Sequence, residues 1–284
     1  KIIILITLSA FIAGCGASSG TTATPAAPLV PFTVSGQITY DFVPTDNTVT
    51  GVANRLNYAA KVARAARRVT VQALSGSTVV ATTTTNDLGN YSLSVPGGSI
   101  IVRALASSTV TSNTPDSTLP DNCSGATWDV RVVDNNTANP SSQTNPNLRP
   151  SYSVSSSTPL TTTATGVNLN AAITTNGVNY TNRAGAPFNV LDSIITEMEL
   201  VCQGSATTTF PLLYVNWSSG NAASAGNKYD GDITTSFFTT EDYSGLSLTS
   251  IGNIYILGVE NVDTDELDSH VMAHEYGHYL EAKL

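Results

Sequence analysis

The sequence predicts a multidomain chain: an all-β N-terminal part followed by a smaller α/β (α+β) part. Three observations carry this expectation. Between Phe32 and about Ala106, apolar and polar residues alternate with the period of a half-buried strand, and Gly- or Asn-containing turns separate the runs. From Ala186 the texture changes to helical spacing followed by short apolar runs. The last stretch, Val271 to Leu280, holds two histidines four residues apart in a segment that no Pro interrupts. A length of 284 residues suits about two domains.

Taken in order, residues 1–15 read as a secretory signal, with one positive charge, the apolar run Ile2 to Leu8 and then small residues. Ile12-Ala13-Gly14-Cys15 resembles the lipobox of bacterial lipoproteins. That resemblance implies cleavage before Cys15, lipid on its thiol, and an address at the outer membrane or cell surface. The apolar run falls short of the ~20 residues a spanning helix needs, and a secreted product cleaved elsewhere is the other reading. Residues 16–32 are small and polar, a flexible tether without periodicity.

In residues 33–106, Val34 to Tyr40, Val69 to Ala73, Tyr91 to Val95 and Ile100 to Ala104 each predict a strand. Asn86-Asp87-Leu88-Gly89-Asn90 and Pro96-Gly97-Gly98 predict the turns between them. The order of strands around a D-x-G-x-Y turn and a P-x-G turn resembles the carboxypeptidase-regulatory or prealbumin-like β-sandwich, over about 70 residues. Such a fold alone assigns no chemistry. Arg55, Lys61, Arg64, Arg67 and Arg68 crowd an Ala-rich insertion. It reads as a solvated loop or short helix leading into the Val69 strand, with an amphipathic helix on anionic lipid as the alternative.

Residues 107–185 predict a second β-rich, irregular segment, with strands at Trp128 to Val133 and Val167 to Ala171 and long loops. In 186–284, Pro187 to Val201 predicts a helix with Pro in its first turn. Leu212 to Trp217, Thr234 to Phe238 and Asn253 to Gly258 are candidate strands. Three cysteines divide into Cys15 for lipid and Cys123 with Cys202 for a disulfide in an oxidising compartment, two buried free thiols being the alternative. Only 12% of residues are charged and the net charge is −9, which makes the chain a poor candidate for nucleic acid, since that needs a concentrated basic face.

His274-Glu275-Tyr276-Gly277-His278 is the part of the chain that bears chemistry. On a helix, His274 and His278 stack on one face and can aim ring nitrogens at one metal. Glu275 lies about 100° around the axis, beside the metal, where a carboxylate takes a proton from water instead of ligating. Two neutral imidazoles keep zinc Lewis-acidic. A surface helix with an incidental histidine pair is the plain alternative. Asp263, Asp265, Glu266 and Asp268 precede the motif: Asp263 with Glu266 suits an N-cap. Calcium is the other cation considered, beside Asp230 and Asp232, although nothing fixes a coordination geometry.

The H-E-x-x-H run resembles the active-site helix of zincin-type metallopeptidases, and Asp263 to Glu281 resembles a group of bacterial lipoproteins with a peptidase-type domain. The resemblance implies one catalytic zinc held by His274 and His278, Glu275 as general base, and a peptide or protein substrate. Together with the sandwich resemblance of residues 33–106, it implies an all-β sandwich followed by an α/β, zincin-like partial domain. The order helix, small sheet, metal helix is that of a zincin N-terminal half, in which an edge strand above the metal helix can pair with extended substrate. Zincins take a third ligand, Glu, His or Asp, from beyond this helix. Nothing after His278 supplies it, and the chain is read as a fragment cut before that ligand. His270 lies about 12 Å along the helix from His278, and Glu281 about 10 Å from His274, too far for either to join the pair. Helix packing or ligand support is expected for His270, and a second contact or a solvated charge for Glu281. The rival reading is a non-catalytic surface module, adhesive or structural, with a relic or structural metal site.

Overall fold

The structure, a computed structural model, describes residues 29–46, 55–111, 123–135, 149–177, 179–243 and 248–284. Cys15, the signal and most of the tether lie outside the described residues. The described chain is mostly β, with two α-helices. No helix among the described residues is long and apolar enough to cross a membrane.

The long first strand, β1 (Phe32–Phe42), organises the N-terminal part. Its first half pairs antiparallel with β7 (Asn90–Val95). Its second half lies between β4 (Val62–Ala65), antiparallel, and β12 (Leu169–Ala171), parallel. A second sheet has the order β11 (Ser153–Ser155), β8 (Ile101–Leu105), β5 (Thr70–Ser75), β6 (Thr78–Thr84). Val34, Ile38, Tyr40, Leu93 and Val95 from the first meet Val71, Ala73, Val102 and Ala104 from the second in one buried cluster. Alternation at period two is what puts those side chains on the facing surfaces. A two-residue ladder, β2 (Thr45–Asp46) with β3 (Arg55–Leu56), leaves this body beside the end of β1.

The second body is a five-stranded mixed sheet in the order β16 (Phe237–Tyr243), β17 (Leu248–Ile256), β15 (Leu213–Trp217), β10 (Trp128–Asp134), β9 (Ser107–Val110). β10, β15 and β17 are parallel, and both edges are antiparallel. Every residue of β15 is buried, as a central strand covered on both faces requires. Helix α1 (Ala186–Gly204), with Pro187 in its first turn, packs against β1, β10 and α2 (Ser269–Lys283).

Segment 107–185 is divided between the two bodies. β9 and β10 join the mixed sheet, β11 and β12 join the sandwich-like pair, and β13 (Ile173–Thr175) forms a hairpin with β14 (Tyr180–Arg183). One hydrophobic cluster therefore runs from Val34 through Trp128 and Phe188 to Tyr279.

Two expectations about charge are corrected here. Arg67 is largely and Arg68 fully withdrawn from solvent. Arg67 pairs with Asp192 and Glu199 of α1 at 2.8 Å each, and Arg68, 1% exposed, pairs with Glu199 and Asp87. The insertion thus clamps the first body to α1. Glu266 does not cap α2: it is fully buried in an ion pair with Arg183, 83 residues upstream. Burial pushes its carboxyl above the ordinary range, and the guanidinium opposes that shift.

Cys123, before β10, is joined to Cys202, near the end of α1, with Cα atoms 5.1 Å apart and both side chains buried.

Candidate metal centre

Helix α2 begins at Ser269. Asp268 is its N-cap, its carboxylate accepting from the His270 N–H at 2.9 Å. Asp263 stands five residues earlier, in a two-residue ladder between β18 (Gly258–Val259) and β19 (Asp263–Thr264). Met272, Glu275, Tyr276 and Tyr279 recur at helical spacing and are buried. The Tyr279 ring lies on β17 where Gly252 offers no Cβ: one added there would stand 2.9 Å from the ring. Its hydroxyl donates to the Pro211 carbonyl at 2.5 Å. That docking leaves His274 and His278 on the open face.

Their Nε2 atoms are 3.3 Å apart. Two nitrogens bound to one tetrahedral zinc at about 2.0–2.1 Å stand roughly 3.3–3.4 Å from each other. The separation therefore equals one edge of a zinc tetrahedron. The same separation also lets one neutral imidazole donate to the other. Glu275 is mostly buried beside them. Burial pushes its carboxyl above the ordinary glutamate range, while the two imidazoles and the backbone N–H of Phe238 pull it down.

A cleft of about 640 Å³ runs along this face. One wall is Ser236, Phe237 and Phe238; the other is His274, Glu275 and His278. The first wall is the start of β16, an edge strand whose outer side carries no partner strand among the described residues. Two devices that local sequence does not announce hold it in place. Ser236 donates to Asp265 at 2.6 Å while accepting from the Leu257 N–H at 2.9 Å. Farther along, the hydroxyls of Tyr229, Tyr243 and Tyr255 all donate to Glu241, at 3.0, 2.9 and 3.0 Å.

The remaining candidates fall elsewhere. The His270 side chain is 99% exposed with its Nδ1 3.4 Å from Asp268, so it neither packs the helix nor supports the pair. The cap at Asp268 places that first turn at the surface. A Glu281 oxygen lies 3.6 Å from His278 Nδ1, beyond hydrogen-bond length, on a side chain that is largely solvated. Asp232 accepts from Ser224 and Asp230 from Asn227 within their own loop. Among the described residues, no three or more His, Cys, Asp or Glu side chains are gathered to hold a metal, zinc or calcium. The candidate site offers two imidazoles, with the Glu275 carboxylate on the same cleft wall.

The chain matches no family model, no curated protein and no solved structure.

Proposed function

We propose that this chain carries the metal-binding helix of a zinc-dependent peptidase, exported and held at the bacterial cell envelope through lipid on Cys15. The observation that carries the reading is the 3.3 Å separation of the His274 and His278 nitrogens beside a buried Glu275. The order α1, β15, β16, β17, α2, with an antiparallel edge strand along the metal helix, supports the zincin-like assignment of residues 186–284.

His274 and His278 would hold the zinc, and a third ligand comes from outside the described residues. When bound, the zinc supplies Lewis acidity towards the scissile carbonyl and the attacking water. Glu275 takes the proton of that water as it attacks and returns it to the departing amine nitrogen. The open edge of β16 aligns extended substrate backbone through ladder hydrogen bonds, which select for extended peptide without reading its side chains.

A second reading, a non-catalytic surface module with a relic or structural metal site, draws on the gathering of only two ligands among the described residues. Zinc-dependent cleavage of unstructured peptides by the full-length protein, lost on chelation and restored by zinc, is expected on the first reading. Zinc-loaded protein that leaves such peptides intact favours the second. For the anchor, growth in a bacterial host with labelled fatty acid should label the wild type and spare Cys15→Ser. Equal labelling of both, or of neither, removes the lipid from the account.

A further inference from the structure

A second, larger cleft of about 1010 Å³ opens at the N-terminal end of α2, and the proposed chemistry makes no use of it. Its lining reaches from the end of β1 and the β2–β3 ladder to the β18–β19 turn and the first turn of α2. The floor is apolar: Val43 and Leu267 are buried there, with Leu56 and Tyr58 packed against them. The rim is acidic, with Glu260, Asp263 and Asp268. No lysine or arginine lines the cleft among the described residues. Of the basic side chains described in flanking segments, Lys61 pairs with Asp41 at 2.8 Å and Arg183 with Glu266. Burial holds the Asp265 carboxyl above its ordinary range, and the nearby Asp263 and Asp268 add to that shift.

An apolar floor below an acidic rim that no lysine or arginine lines among the described residues fits a long aliphatic stem with a cationic head. His270 lines this cleft, and His274 follows one helical turn later, about 6 Å along the axis. Extended peptide advances about 3.3 Å per residue. By that spacing, a side chain two to four residues from a bond held at the histidine pair spans the distance to the first turn of α2. We propose that this cleft is a specificity subsite for a lysine or arginine side chain of the substrate, a preference that rests on the peptidase reading for its purpose.

Two dye-labelled alanine-rich peptides, differing only in Lys or Glu at one position, test this by fluorescence anisotropy. The protein is zinc-loaded and full-length, with Glu275→Gln so that bound peptide persists. The Lys peptide is expected to bind about tenfold more tightly, with the difference shrinking as salt rises. Asp263→Asn with Asp268→Asn should bring the ratio to about threefold or less, Asn being as good an N-cap as Asp. Equal binding of the two peptides, binding of neither, or a preference unchanged in the double variant overturns the subsite. The outcomes separate from those of the peptidase reading. A Lys preference in a wild type that cleaves nothing sinks hydrolysis and leaves the subsite standing, whereas cleavage with no basic preference does the reverse.

Discussion

Replacing Glu275 by Gln in the full-length protein is expected to leave zinc uptake intact and to slow peptide cleavage by about 10²–10⁴-fold, the usual contribution of a positioned general base. Gln keeps the volume and one acceptor for the Phe238 N–H, so the packing of α2 should survive. What it removes is the ability to take a proton. His274→Ala, by contrast, should lose metal and rate together, because it takes away one of only two imidazoles that face each other at 3.3 Å. A Glu275→Gln protein that cleaves as fast as its parent would mean that Glu275 is not the base, and the hydrolytic mechanism would be wrong.

Removing the link between Cys123 and Cys202 should give the largest change in stability. The bridge closes a loop of 79 residues in sequence separation, and on the chain-entropy model its loss costs about 4.5 kcal/mol. It ties the end of α1 to the turn before β10, so both the helix that backs α2 and the adjoining strand lose a common anchor. Urea unfolding of the Cys123→Ala, Cys202→Ala protein should show that loss, and non-reducing peptide mapping of the wild type should recover the linked pair. Alkylation of both thiols before reduction would remove the bridge. A stable bridge also requires an oxidising compartment, as the export reading demands.

How much of this was legible in the sequence depends on the range of the forces involved. Strand runs such as Tyr91 to Val95 and Leu212 to Trp217 appear within a residue or two of their expected places, because alternation or an apolar run is a local record of burial. The C-terminal helix was legible for the same reason: the i, i+4 histidines and the apolar Met272, Tyr276 and Tyr279 state its two faces. Its start was not. Asp263 and Glu266 have cap spacing, but Glu266 is drawn into a buried pair with Arg183, and the cap falls to Asp268. The Arg-rich insertion misled in a similar way. Local composition says solvated, whereas Arg67 and Arg68 meet α1 more than 120 residues away. Likewise, the strands of 107–185 were partly visible, but their division between two sheets is a matter of pairing, and pairing leaves no local mark. The choice of β16 as the open edge belongs to the same class.

Zinc-edge X-ray absorption on the zinc-loaded full-length protein tests the centre most directly. The account predicts two imidazole nitrogens at about 2.0–2.1 Å from the metal. One of them should disappear in His274→Ala and one in His278→Ala, as far as either variant still binds zinc. A spectrum without imidazole, or one that neither substitution alters, would contradict the assignment of His274 and His278 as ligands and the peptidase reading built on it.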